Sequence, residues 1–221
     1  MDEQYSEYAY IPGIVAIGGD LSVERLLFAY AHGIFPWFDE GEPILWWSLA
    51  PRMVLFPEEL VVSKSMRPYF NQKKFDVTFN QNFSEVMRSC RTMKRNGQSG
   101  GSWITDDLIA AYSRLHKLGY AHSVEVWQAG ELVGGLYGVA LGRIFFGESM
   151  FAKVQNASKF GFITWVQLLQ SLGFWLIDCQ QETSHLRSLG ARPISIELFQ
   201  VFLENNIKEP NLLKKCFEKK N

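Results

Sequence analysis

Two polar residues close an otherwise apolar run, Phe174-Trp175-Leu176-Ile177-Asp178-Cys179-Gln180. Read as a strand, the run alternates faces, so Asp178 and Gln180 share one surface while Ile177 and Cys179 share the other. A carboxylate at the end of so apolar a strand is costly unless it is paired or hydrogen-bonded. Asp178 either caps a helix beginning near Glu182 or serves chemistry. The carboxamide beside it favours chemistry, because the pair presents an acceptor and an amide donor together. Glu148 ends a similar run, Ile144-Phe145-Phe146-Gly147. It either pairs with a nearby Lys or Arg or joins the same site. Gly134, Gly135 and Gly138 on the preceding strand leave room for something to approach its backbone, which favours the site.

Other chemistries find less support. Cys179, facing away from Asp178, reads as a small core residue and not as a nucleophile. The 4 histidines, His32, His116, His122 and His185, have no ligand spacing, so no metal is expected. No Gly-x-x-x-x-Gly-Lys-Ser/Thr loop is present to cradle a nucleotide. Trp37, Trp46, Trp47 and Trp103 lie in loop-like sequence. Trp46 and Trp47 read as core, while Trp37 and Trp103 are better placed to stack on a nucleobase, a contact contributing roughly 1–3 kcal/mol.

The elements that must hold these residues follow from periodicity. Leu26, Leu27 and Tyr30 have helical spacing in a segment from Leu21 to Ala31, with Asp20 or Ser22 as N-cap and Gly33 as its stop. Helices are expected near Phe83–Lys94 and Asp106–Leu118, separated by the flexible Asn96-Gly97-Gln98-Ser99-Gly100-Gly101. Strands are expected at His122–Gln128, Glu131–Ala140 and Arg143–Glu148, joined by turns at Ala129-Gly130 and Leu141-Gly142. A helix over Asn156–Leu172, the strand Phe174–Gln180 and a helix over 195–206 follow. Antiparallel strands succeeded by helix, strand and helix make an α+β arrangement. Its boundary falls near residue 65, separating a small N-terminal domain, 1–64, from a larger domain, 65–221.

With 221 residues, 47% hydrophobic and 20% charged, the chain is an ordinary globular one, large enough for a substantial core. No apolar run approaches the roughly 18 residues of a membrane span. The acidic start Met1-Asp2-Glu3-Gln4 lacks the pattern of a secretory signal, and the 3 cysteines form no Cys-x-x-Cys pair. The cytoplasm is therefore expected. The net charge of -1 conceals a basic segment over 61–99, with Lys64, Arg67, Lys73, Lys74, Arg88, Arg91, Lys94 and Arg95 against Asp76 and Glu85. Such a segment is either a solvated surface or a contact for phosphates.

A series of motifs is more specific. Ala16-Ile17-Gly18-Gly19-Asp20-Leu21-Ser22 leads to Gly33-Ile34-Phe35-Pro36-Trp37-Phe38, Ile44-Leu45-Trp46-Trp47-Ser48 and Pro51-Arg52. Trp103-Ile104-Thr105, His122-Ser123-Val124-Glu125-Val126-Trp127 and Gly134-Gly135-Leu136-Tyr137-Gly138-Val139 follow. The series ends with Phe146-Gly147-Glu148-Ser149-Met150-Phe151, Asn156-Ala157-Ser158-Lys159, Leu176-Ile177-Asp178-Cys179-Gln180 and His185-Leu186-x-Ser188-Leu189-Gly190-Ala191. From about residue 11 to 203, in this order, the chain resembles the bacterial leucyl/phenylalanyl-tRNA–protein transferases.

The resemblance implies an N-acetyltransferase-like C-terminal domain with a mixed or antiparallel sheet and flanking helices, plus a small N-terminal α+β domain. It implies transfer of Leu or Phe from aminoacyl-tRNA to the N-terminal Arg or Lys of a protein, marking that protein for degradation. No cofactor or metal is expected, since an aminoacyl ester is already activated and the enzyme has mainly to position two substrates, and a monomer is expected. By the same resemblance Asp178, Gln180 and Glu148 are the catalytic positions, with Asp178 either orienting Gln180 or accepting a proton. Leu136, Phe145, Met150, Phe162, Trp165 and Leu169 would line an apolar amino-acid pocket, and Trp37 and Trp103 would stack near the terminal adenosine. Lys64, Arg67, Lys73, Lys74, Arg88 and Arg91 would track the acceptor stem by phosphate and shape. Bulky Phe162 and Trp165 depart from the commoner pattern, as does a long Gly-rich insertion before Trp103. Two other readings remain: an acyl-CoA-dependent N-acetyltransferase, and a non-catalytic RNA-binding module. Gln155-Asn156-Ala157-Ser158-Lys159 lacks the glycines of a pyrophosphate loop, which counts against the former. The latter leaves Asp178, Gln180 and Glu148 without a purpose.

Overall fold

A computed structural model describes residues 8, 10–93 and 102–218. The expectation for Asn96–Gly101, and the basic residues Lys94 and Arg95, lie outside the described residues.

The N-terminal part begins with strand β1 (Ile14–Ile17) and helix α1 (Val23–Ala31), followed by β2 (Phe35–Pro36) and β3 (Leu45–Trp47). Ser22 caps α1 by accepting from the Arg25 amide, and Asp20 accepts from the Ser22 amide, so both polar residues ahead of the helix are used. The three strands form a small antiparallel sheet in the order β1-β3-β2. Strand β4 (Arg52–Leu55) follows a cis Ala50–Pro51 bond.

After β4 come α2 (Arg67–Asn71), β5 (Asp76–Phe79), α3 (Phe83–Thr92) and α4 (Asp106–Lys117). The hairpin region contains β6 (Ala121–Gln128), β7 (Glu131–Leu141) and β8 (Ile144–Ala152). The chain ends with α5 (Ala157–Ser171), β9 (Leu176–Gln180), α6 (Ser184–Arg187), β10 (Arg192–Ile194), α7 (Ile196–Asn206) and α8 (Leu212–Glu218). Seven strands build a mixed sheet in the order β10-β4-β9-β8-β7-β6-β5, antiparallel except for the β8–β9 pair. This is an α+β fold. β4, which precedes residue 65, lies within this sheet between β9 and β10.

Adjacent residues of β7 point to opposite faces and thereby locate the helices. A Cβ on Gly134 would meet Ala157 of α5, whereas one on Gly135 would meet Val86 of α3. One face is covered by α1, α3 and α4, with Tyr30, Val86, Met87 and Tyr112 in its core. The other is covered by α5 and α2, where Phe70 stacks on Phe160 with centroids 4.2 Å apart. The space at the three β7 glycines is filled by the protein's own packing: Ala157 at Gly134, Phe151 and Val86 at Gly135, and the Phe145 ring at Gly138. The expectation that this space admits another molecule to the Glu148 backbone is corrected accordingly.

Candidate active site

The site forms where two parallel strands part. β8 and β9 pair from Ile144↔Leu176 to Phe146↔Asp178 and no further, although both continue. A β-bulge lies on each strand at this point. Opposite β7, Gly138 faces Gly147 and Tyr137 faces Ser149, so Glu148 is the extra residue. Opposite β4, Met53 faces Gln180 and Val54 faces Asp178, so Cys179 is the extra residue. Bulges re-aim side chains and break alternation.

A cavity of about 600 Å³ fills the gap. Leu136, Phe145, Met150, Phe162 and Ile177 make its apolar wall, and Glu148, Gln180, Cys179 and His185 also line it. Trp37 and Trp103 line it from the side of the core that holds α1, α3 and α4. Its lining therefore draws on both faces of the sheet. Of the expected pocket residues, Trp165 and Leu169 are fully buried and do not line the cavity. Trp165 stands one layer behind, edge-on to Phe145 with centroids 5.3 Å apart. Trp46 is core and donates to the Gly18 carbonyl; Trp47 donates to the Trp37 carbonyl and so holds the Trp37 loop.

Asp178 does not open into the cavity. Its two oxygens receive Nε and Nη2 of Arg52 at 2.8 and 2.6 Å, and both side chains are sealed from solvent. Asp178 Oδ1 also accepts the Gln180 amide at 2.9 Å. The strand-end carboxylate is thus paired, and helix α6 is capped instead by Thr183. The Arg52 guanidinium lies 5.0 Å from the Phe35 ring centroid and 4.8 Å from that of Phe199. Gln180 occupies the left-handed region, with φ 61°. Its side chain leaves the Asp178 surface and Nε2 donates to Glu148 Oε1 at 3.2 Å. Simple alternation therefore fails here: Cys179 and Gln180 both face the cavity, and Asp178 sits behind them.

Glu148 makes no ion pair with Lys or Arg among the described residues. Its partners are the Tyr30 hydroxyl at 2.6 Å, the Tyr112 hydroxyl at 3.4 Å and Gln180. The two tyrosine hydroxyls also bond to each other. Burial pushes the Glu148 carboxyl up to about 7, with Asp178 adding to the rise and the tyrosine and glutamine donors opposing it. Burial and the Glu148 charge hold both tyrosines protonated, well above the ordinary phenol range. Burial raises the Cys179 thiol strongly, followed by the effect of Asp178, so a thiolate nucleophile is disfavoured. His185 is pushed down by burial and by Lys159.

Sequence reasoning missed Arg52, Tyr30 and Tyr112 as members of this cluster. Arg52 had a signal: a buried strand acid requires a cation, and Pro51-Arg52 begins an apolar strand.

The basic segment is divided by the sheet. Lys64, Arg67, Lys73 and Lys74 are exposed on or beside α2, with Lys74 over the Tyr69 ring. Arg88 and Arg91 belong to α3 on the opposite face. Arg91 pairs with Asp106 at 2.5 Å and with Glu40 at 3.9 Å, joining the segments that follow Trp103 and Trp37. Strand β5, the edge of the large sheet, runs between the two groups.

Comparison with known proteins places the chain in a family. The profile described as leucyl/phenylalanyl-tRNA protein transferase matches residues 54–204, and that of the family's N-terminal domain matches 19–49. A leucyl/phenylalanyl-tRNA–protein transferase of Pseudomonas fluorescens (strain Pf0-1) is 55% identical over 199 residues, covering 90% of this chain and 87% of that protein. One from Flavobacterium johnsoniae is 58% identical over 193 residues, covering 87% and 91%. Among solved structures, an aminoglycoside acetyltransferase from an uncultured soil metagenomic sample aligns over 62% of this chain and 88% of its own, at 12% identity and a TM-score of 0.36. With both profiles matched in order and more than half of the aligned residues identical to those of these relatives, the chain belongs to the leucyl/phenylalanyl-tRNA protein transferase family.

Proposed function

We propose that this enzyme moves Leu or Phe from Leu-tRNA or Phe-tRNA onto the N-terminal Arg or Lys of a protein, as a cytoplasmic monomer, and so marks that protein for degradation. The observation that carries this reading is the cavity at the parted strands: an apolar wall large enough for a Leu or Phe side chain, meeting Glu148 and Gln180 at its polar end. A pocket of this kind selects by burial, with each methylene worth only about 1–3 kcal/mol, which suits an enzyme accepting both amino acids. Leu136, Phe145, Met150 and Phe162 hold the donor side chain, and Trp165 and Leu169 support that wall from behind. Trp37 and Trp103 stack on the terminal adenosine.

In this reading Gln180 positions the reacting centre and Asp178 positions Gln180. The buried Arg52 pair supports the second role, since it leaves Asp178 acting through the Gln180 amide and not as a base. The acceptor stem lies across the β5 edge, touching Lys64, Arg67, Lys73 and Lys74 on one flank and Arg88 and Arg91 on the other.

The test is incubation with charged Phe-tRNA or Leu-tRNA and an Arg-initiated peptide. Incorporation of the amino acid into the peptide is expected, and Gln180→Ala should lower it. Acetyl-CoA turnover without tRNA, or tight tRNA binding with no transfer, would overturn the reading.

A further inference from the structure

We propose that Glu148 takes the proton from the acceptor's α-ammonium, and that Tyr30 and Tyr112 are positioning residues holding its carboxylate at the reacting centre. This rests on the transfer reaction proposed above.

The geometry leaves few alternatives. Both Asp178 oxygens are engaged by Arg52, one also by the Gln180 amide, and the residue does not line the cavity. Gln180 is a carboxamide, with no basic atom at neutral pH; donation from Nε2 to Glu148 leaves its Oε1 to accept an N–H from the incoming amine. Cys179 is held as the thiol. His185 lines the cavity, but no hydrogen bond joins it to Glu148 or Gln180 among the described residues. Among the described residues, Glu148 alone combines a cavity position with an incompletely used carboxylate: Oε1 receives Tyr30 and Gln180, while Oε2 receives only Tyr112 at 3.4 Å. Its bulge aims it toward α1 and α4, which supply the two tyrosines.

The electrostatics suit the task. The groups facing Glu148 are Tyr30 from α1, Tyr112 from α4 and Gln180 and Asp178 from β9, with Arg52 of β4 behind Asp178. Arg52 is already matched by Asp178, and among the described residues no other cation pairs with Glu148. Burial first, and then the nearby Asp178 charge, push the carboxyl up to about 7, near working pH, where a general base balances availability against strength.

The protons and electrons balance. Glu148 removes one proton from R–NH3+, and the freed lone pair forms the C–N bond at the ester carbonyl carbon while the C=O π electrons move onto oxygen. Collapse of the tetrahedral species re-forms C=O and breaks the bond to the ribose oxygen. That oxygen takes the second proton lost by nitrogen. The proton left on Glu148 passes to solvent when the product leaves.

Single-turnover transfer from Phe-tRNA to saturating Arg-initiated peptide, followed across pH, tests this in wild type, Glu148→Gln, Tyr30→Phe and His185→Asn. Wild-type log rate should climb and level above about pH 7. Glu148→Gln should lower the rate several-fold below about pH 7.5, where the acceptor (pKa roughly 7.7–8.0) is still mostly ammonium, with the loss shrinking above about pH 8 and peptide KM little changed. The Tyr30 hydroxyl stabilises the ionised carboxylate, so Tyr30→Phe should move the rising limb to higher pH. The acceptor amine cannot account for that shift, and the milder variant keeps the test decisive if Glu148→Gln misfolds. A Glu148→Gln enzyme with its rate at about pH 6–7 intact and only peptide KM raised would overturn the proposal. So would a Tyr30→Phe profile superimposable on wild type, or loss of the limb in His185→Asn. Absence of transfer by wild type would instead remove the reaction itself.

Discussion

Arg52 and Asp178, 126 residues apart in the chain, close a two-pronged ion pair with no exposure to solvent, and Asp178 passes that constraint to Gln180 through the Gln180 amide. A buried pair broken on one side leaves an uncompensated charge, at a cost of about 3–5 kcal/mol. Arg52→Met should therefore lower denaturant stability by about that amount. Arg52→Met combined with Asp178→Leu should recover most of it, because the lone charge is gone, yet transfer should stay low because Gln180 has lost its anchor. Recovery of both stability and turnover in the double variant would detach the pair from the chemistry.

Gln180 holds a positive φ of 61° and its side-chain Nε2 donates to Glu148, distinct from the backbone N–H that Asp178 accepts. Asn tolerates that backbone region better than most residues but is one methylene shorter. Gln180→Asn should leave the melting temperature within a few degrees of wild type while reducing the transfer rate at least tenfold. A marked fall in melting temperature would show that this side chain is needed for folding.

Two buried groups give the stability a pH dependence of opposite sign. Glu148 has a folded-state pKa of about 7 against an ordinary value of 4.5, so its favourable contribution is complete below 4.5 and disappears as pH rises through 7. His122, driven down from 6.5 to about 3 by burial, contributes above 6.5 and loses that contribution as pH falls toward 3. In urea titrations at several pH values, Glu148→Gln should remove the decline between pH 4.5 and 7, and His122→Asn the decline below 6.5. Curves parallel to wild type would contradict the assignments.

The divided basic residues predict a divided salt response. Lys73→Ala with Lys74→Ala should reduce the slope of log Kobs for tRNA against log salt by about two, one for each phosphate no longer neutralised. Arg88→Ala with Arg91→Ala should reduce it less, because Arg91 is already neutralised by Asp106 and Glu40. The Arg88/Arg91 variant should still raise the apparent tRNA KM, since Arg91 ties down the segments next to Trp37 and Trp103. An unchanged slope in the lysine variant would exclude that flank.

Much of the architecture was legible because local rules agreed with tertiary packing. The helix capped by Ser22, the helix over 106–117 and the three strands from 121 to 152 follow from caps, spacing and glycine turns. The acids at 148 and 178 stood out because each follows an apolar run, although β8 continues past Glu148 to Ala152 and so overturns the expectation that the strand ends there. What sequence did not disclose was decided by distant partners or by register. Arg52 acquires its importance only when β4 pairs with β9. The bulges at Glu148 and Cys179 shift the side-chain parity that alternation takes as fixed, separating Asp178 from Gln180 and turning Cys179 into the cavity. Trp165 carries the right chemistry for a pocket wall but lies behind Phe145, whose ring spreads over Gly138 and occupies the front. The basic run is continuous in sequence yet interrupted by an edge strand.

The parting of β8 from β9 also bears on mutability. Because the opening it creates is walled from both sides of the sheet, a packing change in either of two otherwise separate cores can reshape the same cavity.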